Sequence, residues 1–290
     1  MDFSAVGKKI KELRKNVGLS QEDLAEGICT QAQISKIEKG IVYPYASTLY
    51  LISQKLGVDV NYFFDIGMTP RLDYVQEVEY QLKVARRTFD YQGLKQIVQA
   101  EENNPLFFQN KVNLQLLLWH KGIYIYELEK DIEKTIKTLK SAVELTRQKT
   151  KVFSEREIEI QISLGIIYFR YDIEKAVETY MKINDELQML PTLNDYTIKT
   201  RLYYNYARAL TRLSKLEESI RYCEQAINWC IEKENMFLLG ELHYHIGYNY
   251  ELQGDLDKAI TYMKKALTVF ELQRDDKYIK FISEKIKEMS

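Results

Sequence analysis

Residues 31–36 read QAQISK, with a further glutamine at Gln21. Gln31 and Gln33 each carry an N–H donor and a C=O acceptor side by side, the pattern that matches the exposed edge of adenine in a DNA major groove. Ala32 and Ser35 share an outward helix face with them without making it a large apolar one, and Lys36 can reach a base edge or a phosphate. Gln21 opens a helix and is placed to bond a phosphate with the helix N-terminus behind it. Gln33 has a rival use: three residues after Thr30, it can fold back on the backbone of Thr30 and is then lost to base reading. Little else competes as chemistry. His120, His243 and His245 do not form a metal set, because residues two apart point to different faces of a helix. There is no Ser-His-Asp grouping, no HExxH, no glycine-rich phosphate loop and no paired-carboxylate motif. No enzyme, metal or cofactor is expected.

The elements that must position these residues are short helices. Val6, Ile10 and Leu13 recur at helical spacing among Lys8, Lys9, Lys11 and Arg14, which predicts an amphipathic first helix ended by Gly18. Ser20 with Asp23 predicts a capped second helix over 21–26, broken by Gly27. Thr30 with Gln33 predicts a third, running to Glu38. Ser47 is expected to cap a fourth helix and Asp59 to start a fifth. Two helices joined by a tight turn, packed through Leu24, Ala25, Ile34 and Ile37, form a helix-turn-helix. The halves LSQEDLA and ISKIEKG resemble the Cro/C1-type (XRE) helix-turn-helix family. From Ala25 to Ile34 is nine positions, one fewer than is usual in that family.

After Pro70 the pattern changes to long helices that repeat. HIGYNYELQGDLDKAITYMKKAL aligns with YNYARALTRLSKLEESIRYCEQAI so that Gly247, Ala259 and Ala266 match Ala207, Ser219 and Ala226, each 40 residues on. SLGIIYFRYDIEKAVETYMKI, with Gly165 and Ala176, is a third copy, and two weaker ones precede it. The small residues fall where two antiparallel helices touch, and the segments resemble tetratricopeptide repeats. The expected fold is all-α: an N-terminal five-helix helix-turn-helix domain (1–66), a linker (67–76), and an α-solenoid of about five helix pairs with a C-terminal capping helix near Tyr278–Met289 (77–290). The first helix of each pair should line a concave groove. The repeat pattern places Tyr204, Asn205, Arg208 and Thr211 there, with Arg201 on the same face, then Tyr244, His245, Tyr248 and Glu251 with Glu241 below, and Ile162, Ser163, Ile166 and Phe169 from the preceding copy. Aromatic walls, an amide and arginines suit an extended peptide. Many of the 22 tyrosines are expected simply to pack helices together.

The order of a helix-turn-helix followed by long tetratricopeptide repeats resembles the Rap, Rgg, NprR, PlcR and PrgX group of peptide-pheromone regulators. The resemblance covers the whole chain. It implies a homodimeric cytoplasmic transcription regulator for quorum sensing that binds double-stranded DNA and a short signalling peptide. YYNYARAL matches the group's motif in which an asparagine holds the peptide backbone, which points to Asn205. The expected peptide-binding set is therefore Phe169, Arg201, Tyr204, Asn205, Arg208, Glu241, Tyr244, His245, Tyr248 and Glu251. Where the group often has a second asparagine this chain reads QISLGII. Two other readings are open: a repeat scaffold that sequesters a partner protein, and a redox-responsive regulator using cysteine. Cys223 and Cys230 are seven apart on one helix, about 10 Å, too far to bridge each other.

Composition bounds these readings. With 46% hydrophobic and 29% charged residues, only 4 Pro and 12 Gly, and a net charge of −1, the chain suits a folded helical protein and not a globally basic nucleic-acid binder. Balanced charge in the first 66 residues predicts modest non-specific DNA affinity, so dimerisation would help build tight binding. No apolar run of about 18 residues or signal core is present. With three scattered cysteines, the expected compartment is a reducing cytoplasm, with no membrane partner.

Overall fold

The computed structural model describes residues 3–69, 71–147 and 152–289, with only the backbone of Phe3. Every regular element among them is helical. The chain forms two compact units, Met1–Tyr124 and Ile125–Ser290.

The first unit opens with five short helices: α1 (Phe3–Asn16), α2 (Gln21–Ala25), α3 (Gln31–Glu38), α4 (Ala46–Leu56) and α5 (Val60–Met68). Their apolar faces close one core around Val6, Ile10, Leu24, Ala25, Ile34, Ile37, Leu49, Ile52, Leu56 and Phe63. Ser20 and Asp23 form the full capping box at α2, while at α3 Thr30 accepts from the Gln33 N–H without a return bond. Gly7 lets α1 cross the end of α3, because a Cβ there would collide with the Ile37 carbonyl. The cap expected at Ser47 is not formed. The Leu49 N–H bonds the Tyr45 carbonyl at 2.9 Å, so α4 closes two residues earlier, with Tyr45 at its N-cap.

The same unit continues with α6 (Leu72–Arg87), α7 (Tyr91–Glu101), the one-turn α8 (Pro105–Phe108) and α9 (Lys111–Tyr124). Most of the expected linker 67–76 is thus helical, since α5 ends at Met68 and α6 starts at Leu72. Pro70 lies outside the described residues. The buried Glu101 carboxylate on α7 joins α6 to the N-cap of α8, accepting from the Tyr74 hydroxyl at 2.6 Å and from the Asn104 amide at 2.7 Å.

The second unit starts with a π-helical turn (Ile125–Glu129) and continues with α10 (Ile132–Glu144), α11 (Glu155–Tyr171), α12 (Ile173–Gln188), α13 (Thr197–Arg212), α14 (Leu216–Glu232), α15 (Leu239–Gln253), α16 (Leu256–Gln273) and α17 (Asp276–Met289). Helices α11/α12, α13/α14 and α15/α16 pack as pairs, each matching one of the three strong sequence repeats. The small repeat positions do what the pattern requires. A Cβ on Gly165 would strike the Tyr180 ring, and one on Gly247 would sit 2.9 Å from Met263 Cγ. Ala207, Ser219, Ala226, Ala259 and Ala266 have no exposed surface. α17 caps the last pair through Ile282, which is buried with Met263, Ala266 and Phe270. Tyr180, Tyr203 and Tyr206 are buried, so the packing role expected of many tyrosines holds for these. Among the described residues no helix is long and apolar enough to cross a membrane.

Candidate nucleic-acid interface and ligand cavity

On α3, Gln31, Ala32 and Lys36 are exposed, and Gln33 and Ser35 are half-buried. The face opposite is core. A relay of side chains fixes how the amides point. Arg14 pairs with Glu38 through Nε to Oε1 at 2.5 Å and Nη2 to Oε2 at 3.1 Å, and its Nη1 bonds the Leu19 carbonyl at 2.7 Å. Gln21 donates Nε2 to Glu38 Oε2 at 2.7 Å, and Gln31 donates Nε2 to Gln21 Oε1 at 2.7 Å. A carboxylate can only accept, so the Gln21 nitrogen must face Glu38 and its oxygen must face Gln31. The Gln31 nitrogen is fixed in turn. Gln31 keeps one N–H and its oxygen, which is what a bidentate contact to adenine uses. Gln21 keeps one N–H for a phosphate. Burial would raise the pKa of Glu38, but the bonds from Arg14 and Gln21 outweigh it and hold the carboxyl below its usual range.

In the second unit a cavity of about 470 Å³ opens between α11, α13, α15, α16 and α17. Phe169, Tyr204, Arg208, Glu241, Tyr244, His245 and Tyr248, all assigned from sequence to a groove, meet on its wall. The Arg208 guanidinium lies 5.0 Å from the Phe169 ring centre and 5.6 Å from that of Tyr204. Tyr244 and Tyr248 stack at 6.4 Å. Burial pushes the Tyr204 and Tyr244 hydroxyls up to about 12. Burial, with the charge of Asp275 adding to it, raises the Glu241 carboxyl.

Three assigned residues lie outside this wall, each for a visible reason. Arg201 is paired with Glu159. Asn205 is 7% exposed and donates Nδ2 to the Arg201 carbonyl at 2.8 Å, one turn back on its own helix. Glu251 accepts from Lys285 at 2.8 Å. Of the four positions expected from α11, only Phe169 reaches the cavity, and Ile162 is core. The wall also includes Arg212, Leu252, Phe270 and Tyr278, which the predicted set lacked. Arg212 and Leu252 follow Arg208 and Tyr248 by one helical turn, a spacing visible in the sequence. Phe270 and Tyr278 come from α16 and α17, outside the helices that the repeat pattern assigns to the groove.

Behind the cavity is a polar knot. Thr211 Oγ1 lies 2.8 Å from Ser219 Oγ, 2.8 Å from Asn249 Oδ1 and 2.9 Å from His245 Nε2. Asn249 Nδ2 donates to Ser219 Oγ at 3.1 Å and to the His245 carbonyl at 2.8 Å. Thr211 Oγ1 also lies 3.1 Å from the Ala207 carbonyl. One arrangement of protons fits these contacts: Thr211 shares its proton between Asn249 Oδ1 and that carbonyl, Asn249 donates to Ser219 and Ser219 to Thr211. The Thr211 hydroxyl then has only a lone pair for His245, so Nε2 carries the imidazole proton. Burial holds this histidine neutral, with its pKa down to about 4. Cys223 and Cys230 are buried, and burial raises both thiols, away from the reactive thiolate.

A helix-turn-helix with an exposed amide-bearing helix, and a helical-repeat unit with an aromatic cavity on one face, define the class: an all-helical protein with a helix-turn-helix head and a helical-repeat unit. Residues 79–289 match the RNPP family C-terminal domain and residues 10–63 match a helix-turn-helix family. The chain belongs to the RNPP family. Over 63 residues it is 43% identical to an uncharacterised HTH-type transcriptional regulator of Rickettsia conorii, an alignment covering 21% of this chain and 50% of the relative. The chain thus matches about half the length of that curated relative. Its fold is similar to that of Bacillus thuringiensis PlcR in complex with the peptide PapR7 and DNA, with a TM-score of 0.88 and 24% identity over 96% of this chain and 99% of PlcR. It is also similar to Streptococcus thermophilus ComR in complex with DNA and its signalling peptide, with a TM-score of 0.66 and 16% identity over 98% of this chain and 99% of ComR.

Proposed function

We propose that the chain is a cytoplasmic, homodimeric transcription regulator that binds double-stranded DNA through α3 and is controlled by a short signalling peptide held in the α11–α17 cavity. The observation that carries this reading is the convergence on one cavity of eight side chains picked independently from the repeat pattern, Thr211 among them. The peptides and DNA bound by PlcR and ComR, proteins of the same fold, support it. Residues 1–66 are proposed to bind DNA, through Gln31, Lys36 and, with a half-buried start, Gln33 and Ser35. Ala32 allows a close approach and Gln21 bonds a phosphate. Residues 77–290 are proposed to sense the peptide and dimerise. Tyr204, Arg208, Tyr244, His245 and Tyr248 form the peptide wall, with Phe169 and Glu241 at its edges. Asn205 is proposed to act from behind that wall by fixing the Arg201 turn.

Control is proposed to be a shift in population: a peptide that prefers one curvature of the repeats changes the spacing of two heads that must engage half-sites about one DNA turn apart. The test is purification of the full chain from its host, followed by mass spectrometry for a co-purifying peptide and fluorescence anisotropy on selected DNA. A bound peptide that changes DNA affinity supports the proposal. Site-selective DNA binding indifferent to every recovered peptide would overturn the control.

A further inference from the structure

We infer that the ligand of the α11–α17 cavity is dipolar, presenting an anionic group to Arg208 and a cationic group to Glu241, with the two roughly three to four peptide residues apart. The inference rests on the proposed reading of this cavity as a peptide site and specifies the chemistry of that peptide.

Four charged residues were assigned to the groove from sequence besides the aromatics, and the structure divides them. Arg201 is neutralised by Glu159, and Glu251 by Lys285. Arg208 and Glu241 form no ion pair with any described residue. Both line the cavity and are only half-exposed. Arg208 rests on the faces of Phe169 and Tyr204, which leaves the five N–H donors of its guanidinium unspent on any carboxylate. Glu241 sits beside Tyr278 in a part of the wall where burial already disfavours its charge, and Asp275 adds to that cost. A charge in an aromatic cavity gains most from a partner that arrives with the ligand.

The two do not satisfy each other because the repeat keeps them apart. The step of 40 residues aligns position 201 with 241 and 208 with 248. On like-directed helices α13 and α15, Arg208 and Glu241 therefore differ by seven positions, about 10 Å along the axis, and the helix axes add about 8–10 Å sideways. An extended chain rises about 3.3 Å per residue, so about three to four residues span the gap. The anion could be a C-terminal carboxylate or an Asp or Glu side chain, and the cation a free amino terminus or a Lys or Arg side chain.

The test is affinity selection on the full chain with a random heptapeptide library in three forms: free termini, N-acetylated and C-amidated. Bound peptides are sequenced by mass spectrometry. The expected result is enrichment of peptides with an acidic and a basic group about three to four residues apart. Arg208→Gln should remove the acidic preference and Glu241→Gln the basic one, each weakening the selected peptides by about 10- to 100-fold. Glu241→Lys should select an acid in place of the base. Loss of enrichment on acetylation or amidation assigns that charge to a terminus, and its survival assigns it to a side chain. Peptides that bind tightly but show no charge preference, or that are unaffected by both neutralising variants, would overturn the inference and leave the peptide site standing. No enrichment of any peptide by a chain whose thermal melt is normal would remove both.

Discussion

The neutral His245 gives a pH signature that can be worked out in advance. Its pKa in the folded chain is lowered to about 4 by burial, against an ordinary 6.5. A base whose folded pKa is depressed contributes fully above its unfolded pKa. That contribution is lost as the pH falls from about 6.5 towards 4, because only the unfolded chain takes up the proton. At pH 5 the unfolded imidazole lies 1.5 units below its pKa and the folded one is still neutral, so moving from pH 7 to pH 5 should cost about 2 kcal/mol. The lowered carboxyls of Asp23 and Glu38 do not interfere, since their contribution is lost only at lower pH. His243, also lowered to about 4 by burial, adds a smaller loss because it is half-exposed. Glu241, whose carboxyl is raised, works in the opposite direction and is best silenced as Glu241→Gln. The assay is urea unfolding of the second unit's signal in the full chain at pH 7 and pH 5. His245→Gln keeps a donor for Thr211 and should remove most of the loss, while His243→Gln should remove less. If His245→Gln loses as much stability over this interval as the unaltered chain, the imidazole is not held neutral and the proton assignment in the polar ring falls with it.

Gln31→Ala with Lys36→Ala should abolish operator selection while leaving thermal stability within about 1 kcal/mol, because both are exposed; an unchanged sequence from a random-pool selection would reassign the reading helix. Glu38→Ala should cost the head about 3–5 kcal/mol by leaving Arg14 buried without its carboxylate, and it should also loosen Gln21 and Gln31; thermal unfolding and DNA selection measure the two effects separately. Asn205→Ala should weaken the bound peptide by less than Arg208→Gln does, because Asn205 is off the cavity wall and bonded to its own helix; isothermal titration with the recovered peptide compares them. Gly165→Leu should prevent α11 from packing on α12 and should lower the melting temperature sharply, seen by circular dichroism.

What could be read in advance is what local spacing controls. Ser20 with Asp23 marked a cap because both bonds of a capping box fall within four residues. The repeat was visible because Gly165, Ala207 and Gly247, 42 and 40 residues apart, answer to one contact, the crossing of paired helices. The fourth helix was misread at its start because Ser47 has the right side chain, yet the backbone had already closed on Tyr45. The Arg14–Glu38–Gln21–Gln31 relay was not legible, since its partners are separated by 24, 17 and 10 positions and only the folded head brings them together. Phe270 and Tyr278 were missed because a repeat pattern names the faces of its own first helices, and here the last second helix and the cap supply part of the wall. Asn205 is the reverse case: an amide in an apolar helix invites a ligand, and in the fold one of its N–H groups bonds the carbonyl one turn back.

The polar ring also limits what the cavity can recognise. Thr211 and His245 are on the wall, so a polar ligand could be imagined bonding to them. The Thr211 hydroxyl has one proton and two lone pairs. In the arrangement described above the proton is shared by Asn249 and the Ala207 carbonyl and the lone pairs receive Ser219 and His245, so nothing is left over. A ligand group bonding Thr211 would have to break a ring that joins α13, α14 and α15, leaving Asn249 or Ser219, both without exposed surface, in need of a partner. Buried polar groups cost most when half-satisfied. In the proposed peptide site, recognition is therefore expected to fall on the uncommitted charges of Arg208 and Glu241 and the hydroxyls and ring faces of Tyr204, Tyr244 and Tyr248. The ring itself holds three helices at fixed spacing beneath them. The side chains that look most chemical in the sequence, a histidine beside a threonine, serve the scaffold, and the selectivity falls to residues whose charges the fold leaves unpaired.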